Sequence, residues 1–125
     1  MCINGNSTKI EAPLHPFGAT LKYIAIGIDN IAPHIAAGRE GITLNAGNIA
    51  EQCQKIISMQ ADLTLIEGAG GWKVPLSEQE TMADIAKTLG IPVILIVGMR
   101  LGCLNHALLT AQSILADGVS LVGWI

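Results

Sequence analysis

Apolar side chains recur along this chain in blocks whose spacing changes from helical to strand-like and back. Through residues 44–60, Ala46, Ile49, Ala50, Cys53, Ile56 and Ile57 follow the i, i+3, i+4, i+7 rhythm of a helix with one buried face. The run "ADLTLIE" (61–67) is short and almost wholly apolar, which predicts a strand buried on both faces. Thr81 to Leu89 reads as a helix with Met82, Ile85, Ala86 and Leu89 turned inward, and Gly90 supplies its C-terminal stop. "IPVILIVG" (91–98) is an uninterrupted β-branched strand. Residues 103–117 form another helix, expected to bury Leu104, Leu108, Ala111, Ile114 and Leu115, with Gly118 at its end. "VSLVGWI" (119–125) starts a third strand. Residues 1–20 carry Pro13 and Pro16 and little pattern; they read as an extended arm or loop ahead of one domain over residues 21–125.

Helices alternating with strands predict an α/β fold, a three-layer α/β/α arrangement around a mainly parallel sheet. Right-handed crossovers bring the carboxyl ends of parallel strands to one edge, where ligands of open α/β sheets bind. The segments expected there are Glu67 to Pro75 and Met99 to Asn105.

Composition narrows the class. Of 125 residues, 50% are hydrophobic, 14% charged and 3% aromatic, so the core must be built from aliphatic side chains. Mean hydropathy is +0.50, far from disordered composition. Net charge is −3 and no basic run occurs, which excludes nucleic acid and anionic membrane as natural partners. Cys2, Cys53 and Cys103 form no C-x-x-C pair and read as reduced thiols of a cytoplasmic protein. The first residues lack the apolar core of a signal peptide. The stretch "IPVILIVGM" is about half the length that spans a bilayer, and Pro92, Arg100, Asn105 and His106 interrupt the region around it.

The chemistry concentrates in "LTLIEGAGGWKVPL" (63–76). A carboxylate closing a buried strand costs several kcal/mol unless it is paired or holds a metal. The residues that follow, Gly68, Ala69, Gly70 and Gly71, permit positive φ and let backbone amides approach a ligand. Together they suit Mg²⁺ and phosphate oxygens, with Glu67 as a direct or water-mediated ligand. A tight strand-to-loop turn in which Glu67 pairs with another cation is the competing reading, and a lone Gly-rich loop does not separate the two.

The run "EGAGGWKVPL", followed by "MADIAKTLGIPVILIVGMRLGCLNHALLTAQSILADGVSLVGWI", closely resembles the dethiobiotin synthetase family, ATP-dependent enzymes of biotin synthesis. "APHIAAGREG" (32–41) is similar to the family segment ahead of its first covering helix. The resemblance covers about residues 21–125 and is most specific at 98–110. It implies a P-loop NTPase-like fold and a homodimer using ATP and Mg²⁺. It also implies a reaction in which diaminopelargonate takes up CO₂ as a carbamate, ATP phosphorylates it, and the second amine closes a ureido ring. By the same resemblance Glu67 would hold Mg²⁺, the backbone of Glu67, Gly68, Ala69 and Gly70 would line the phosphates, and the loop bearing Gly102, Cys103, Leu104 and Asn105 would meet the carboxylate tail of diaminopelargonate. That loop opens a helix, whose free amides suit an anion on physical grounds alone.

Other residues keep two readings. Arg100 stands where the family often has Lys and could sit beside the substrate tail or in solvent. His106 could be catalytic or a packing residue of a first helical turn, and His34 could be substrate-adjacent or structural. Cys103 reads as a small buried residue, Asp84 and Asp62 as helix-face and strand-edge charges, and Trp72 as packing over the glycines. No G-x-x-x-x-G-K-[ST] run occurs in the chain, so no catalytic lysine is assigned. The sequence therefore resembles the middle of a dethiobiotin synthetase and is expected to be inactive by itself. A non-catalytic remnant that pairs with a full-length synthetase, and a fragment of a cobyrinate-type amide synthetase, are the alternatives.

Overall fold

The computed structural model describes residues 21–26 (backbone), 35, 41, 43–59, 61–68 and 70–125. The element order is β1 (Leu21–Ile26), α1 (Ala46–Ile57), β2 (Leu63–Gly68), α2 (Met82–Leu89), β3 (Val93–Leu95), α3 (Cys103–Ala116) and β4 (Leu121–Trp124). The proposed arm at 1–20 lies outside the described residues, as do His34 and Ala69.

Among the described residues the four strands pair in parallel, as the α/β reading requires, and they join as two pairs. β1 runs beside β2 in unbroken register from Leu21 opposite Leu63 to Ile26 opposite Gly68. β3 runs beside β4, with a register shift between Val93 and Ile94. Backbone bonds carry this second ladder past the strand ends, from Val97 N to Ile125 O at 2.7 Å and from Ile125 N to Leu95 O at 2.9 Å.

β1 was not among the three expected strands. Its alternation in "LKYIAI" adjoins the weakly patterned start of the chain, and its partner lies about 40 residues on, beyond the reach of a local pattern.

The core joins α1, α2 and the loop between β2 and α2. Ala46, Ile49, Ala50, Cys53, Leu76, Met82 and Ile85 are buried together, with Leu44, Ile56, Ile66, Val74 and Leu89 packed against them. This is the inward set expected for α1 apart from Ile57, and most of that expected for α2. Each buried Ile, Leu or Met contributes about 1.5–3 kcal/mol of transfer free energy. Asn45 caps α1, its Oδ1 accepting the Asn48 amide at 3.0 Å. Gly90 ends α2 in the left-handed region at φ 63°, and its amide returns to the Ala86 carbonyl.

Two expectations about burial are corrected. β2 is covered on one face only: Thr64 and Ile66 are half-buried, whereas Leu63, Leu65 and Glu67 are exposed. α3 buries Ile114 (1% exposed), yet Leu104, Leu108 and Leu115 of its expected inward set are 76%, 65% and 61% exposed. The causes are related. A helix apolar on nearly every side does not announce its buried face, and the described residues cover only one side of each strand pair. The uncovered side carries Leu63, Leu65, Ile94, Ile96, Val122 and Trp124. It is the face that the second helical layer of a three-layer fold would occupy. Among the described residues no helix is long and apolar enough to cross a membrane.

Candidate functional site

Glu67 stands inside the β1–β2 ladder, opposite Ala25, and Gly68 beside Ile26 is its last paired residue. Its carboxylate is exposed and has no hydrogen-bond or ion-pair partner among the described residues. The expected penalty for a buried strand-end charge therefore does not arise. The competing reading, in which Glu67 pairs with another cation, finds no such partner among the described residues.

Beyond Gly68 the backbone turns through positive φ at Gly70 (92°) and Gly71 (122°). L side chains rarely adopt such values, which makes glycine a requirement here. A Cβ on Gly70 would stand 3.0 Å from Val74 Cγ2, and one on Gly68 would stand 3.0 Å from Met82 Cε. Gly68, Gly70 and Gly71 thus leave backbone without side chains close after a carboxylate that is unengaged among the described residues.

The chain after the glycines is firmly tied. Trp72 Nε1 donates to Asp117 Oδ2 at 2.7 Å, and Lys73 Nζ reaches the same oxygen at 2.6 Å. Val74 O accepts the Met82 amide at 2.8 Å, and Leu76 N donates to Glu80 O at 2.8 Å across the Pro75–Thr81 bridge. Leu76 enters the core at 1% exposure. Trp72 is thus held on the end of α3, and it is Val74 that packs beside Gly70. Asp117, absent from the sequence-based candidates, is the residue that links the two predicted segments. Its partners lie 45 and 44 positions away, and only its place just before Gly118 at a helix end marked it. Lys73 lowers the Asp117 carboxyl below its ordinary range, and Trp72 acts in the same direction.

The second predicted segment forms the first turn of α3. Gly102 is its N-cap in the left-handed region at φ 90°. The Cys103 amide is engaged by the Arg100 carbonyl (2.9 Å) and the His106 amide by the Gly102 carbonyl (3.0 Å). That leaves the amides of Leu104 and Asn105 without a partner among the described residues, as helix geometry dictates for a first turn. The His106 ring packs over Gly102, 3.6 Å from where a Cβ would stand. Arg100 is exposed, and Cys103 is half-buried where full burial was expected. No hydrogen bond or ion pair among the described residues joins 67–70 directly to 102–105; their connection runs through Trp72, Lys73, Asp117 and the body of α3.

A family model described as an AAA domain matches residues 24–125. The chain belongs to this family. Curated relatives bear out the resemblance to dethiobiotin synthetases and the P-loop NTPase-like α/β class. The ATP-dependent dethiobiotin synthetase BioD of Cellvibrio japonicus is 57% identical over 95 residues, covering 76% of this chain and 41% of the relative. Its namesake in Pseudomonas aeruginosa strain UCBPP-PA14 is 54% identical over 95 residues, 76% of this chain and 42% of the relative. That of Alteromonas mediterranea is 43% identical over 130 residues, reaching 99% of this chain and 52% of the relative. The last match extends the similarity over the N-terminal residues as well. The chain spans about half the length of the curated relatives it matches.

Residues 67–70 fit a nucleotide–metal group in their chemistry. One unengaged carboxylate, followed by backbone that a Cβ would obstruct, matches the usual Mg²⁺ pattern of one or two carboxylates completed by phosphate oxygens and water. No cluster of three or more His, Cys, Asp or Glu gathers among the described residues, and Glu67 is the one carboxylate that residues 67–70 offer.

Proposed function

We propose that this chain carries the metal-binding and substrate-tail parts of an ATP-dependent ligase that forms dethiobiotin from 7,8-diaminopelargonate and CO₂. The observation that carries this reading is the exposed Glu67, unengaged among the described residues, at the end of a parallel ladder and followed by glycines at positive φ. Similarity to dethiobiotin synthetases across residues 24–125 and beyond supports it.

Glu67 would hold Mg²⁺, and the backbone of Gly68, Ala69 and Gly70 would face phosphate oxygens. ATP with Mg²⁺, when bound, supplies the phosphoryl group that makes a carbamate oxygen a leaving group. The chain's own residues bind and orient. The Leu104 and Asn105 amides, unpaired among the described residues and at the positive end of the α3 dipole, would donate to the substrate's carboxylate tail, and Gly102 and Cys103 would shape the approach. Exposed Leu101, Leu104 and Leu108 beside that turn favour a homodimer with the tail site near its interface. A solution state in the cytoplasm accords with the reduced cysteines.

Separate calorimetric titrations of Mg²⁺–ATP and of diaminopelargonate into the chain test this. Diaminopelargonate binding that survives Glu67→Gln, together with Mg²⁺–ATP binding that does not, is the expected result. Binding of neither ligand to the unsubstituted chain would sink the proposal.

A further inference from the structure

Gly68, Gly70 and Gly71 have no side chains with which to hold the shape of the turn. Its first end is fixed by the β1–β2 ladder at Gly68. Its second end is fixed at Trp72 and Lys73, and both of those side chains converge on one oxygen of Asp117.

The position of Asp117 is unusual for the helix that carries it. It is the C-terminal cap residue of α3, and a carboxylate there faces the negative end of the helix dipole, which disfavours it. Capping α3 does not account for an acidic residue at this point. The partners do: a half-buried indole N–H, which can only donate and needs an acceptor, and an ammonium group. Asp117 is 17% exposed in its side chain against 51% for Lys73, so the carboxylate is the sheltered, fixed member of the pair. Its amide donates to Ser113 O at 3.0 Å, which seats the carboxylate on the rigid end of a 14-residue helix. A second ammonium, that of Lys87, is anchored nearby on Asp84 at 3.0 Å and adds to the positive surroundings.

We propose that Asp117 is a positioning residue for the glycine turn: it clamps Trp72 and Lys73 to the end of α3, and so holds Gly70 and Gly71 in the conformation that presents Glu67 and the turn backbone to a ligand. The ligand-binding consequence rests on the proposed function above. The clamp itself does not.

The chain has two tryptophans, so Trp124→Phe leaves Trp72 as the sole emitter. Trp124 is exposed and outside the proposed site. In that background the full chain is compared with its Asp117→Leu and Asp117→Asn variants. One readout is acrylamide quenching of Trp72. The other is the rate of trypsin cleavage after Lys73 relative to cleavage after Lys87. The clamp predicts about a twofold rise in quenching and a tenfold or greater rise in relative cleavage for Asp117→Leu. It predicts that Asp117→Asn, whose amide oxygen still accepts the indole N–H, restores the quenching. Lys73→Met, which keeps the indole bond, should leave quenching near its starting value. Unchanged quenching and cleavage in Asp117→Leu would overturn the clamp. So would an equal rise in cleavage after Lys87, because that reports general unfolding. If the variants behave as expected while no form of the chain binds Mg²⁺–ATP, the clamp stands and the phosphate reading of residues 67–70 fails.

Discussion

Glu80 Oε2 accepts the backbone amide of Ala46 at 2.9 Å, so a side chain from the loop ahead of α2 closes the first turn of α1. The two residues are 34 positions apart, and the bond carries negative charge to the positive end of a helix dipole. It complements the Asn45 cap, which serves a different amide. Through Glu80 the segment after the glycine turn is tied to α1 as well as to α2 and α3.

The Glu80 bond is charge-assisted and half-sheltered, so its loss should be visible in unfolding. Glu80→Ala should lower stability by about 1–2 kcal/mol, read as a lower urea midpoint at unchanged slope. Glu80→Gln keeps an acceptor oxygen and should recover roughly half of that loss. A midpoint identical to that of the unsubstituted chain would show that the Asn45 cap alone suffices.

The orientation of α3 gives a paired test. Ile114 and Leu115 are neighbours in sequence, both aliphatic, with exposures of 1% and 61%. Ile114→Ala should cost about 2–5 kcal/mol, through lost transfer energy and the cavity left behind. Leu115→Ala should stay within about 0.5 kcal/mol of the unsubstituted chain. Equal losses at the two positions would mean that the helix buries both faces, as its sequence alone implied.

The contrast between these two residues marks the limit of what was legible in the sequence. α1 and α2 could be placed with their faces because polar residues interrupt their apolar positions every turn, as Glu51, Gln54 and Lys55 do between Ala50 and Ile56. In α3 the run "ALLTAQSILA" has only the uncharged Thr110, Gln112 and Ser113 between its apolar residues, so its polar face is weakly marked. Glu67 and the glycines were legible as a candidate site because a carboxylate followed by small residues is a chemical signal in itself. Its exposure was not legible, since an apolar run does not say whether one or two faces will be covered. Asp117 was invisible for another reason. Its role exists only through Trp72 and Lys73, and no periodicity links residues that far apart.

Acid should act on α2 through Asp84. Its carboxylate accepts the Thr81 amide at 2.7 Å and the Thr81 hydroxyl at 3.0 Å, and bridges to Lys87 at 3.0 Å. The Thr81 amide first, and then Lys87, hold this carboxyl down at about 2. A folded-state value below the unfolded one means that the stabilisation is present above the unfolded value. It is lost as pH falls through the folded one. The window therefore runs from about pH 4 down to about pH 2. In Asp84→Asn the group cannot titrate. Its urea midpoint should be lower than that of the unsubstituted chain at neutral pH and should decline less across this window. Parallel declines in the two proteins would remove Asp84 from the account of acid sensitivity.

The glycine turn can be dissected with three alanine substitutions that impose different burdens. Gly98 has ordinary backbone and open space around a would-be Cβ, so Gly98→Ala should be nearly neutral. Gly71 has φ 122° and nothing within 4 Å, so Gly71→Ala carries a conformational penalty alone, about 1–3 kcal/mol. Gly70 has φ 92° and Val74 Cγ2 at 3.0 Å, so Gly70→Ala adds a steric burden to the conformational one. Removing the Val74 methyls separates the two. In a Val74→Ala background the cost of Gly70→Ala should shrink by about 0.5–1 kcal/mol while that of Gly71→Ala stays as it was, an interaction energy of the size expected for residues in contact. If the turn presents backbone to phosphate, Gly70→Ala and Gly71→Ala should also weaken Mg²⁺–ATP binding, and Gly98→Ala should not. Stability losses at residues 70 and 71 with unaltered nucleotide binding would leave the turn as a structural feature and move the phosphate site elsewhere in the fold.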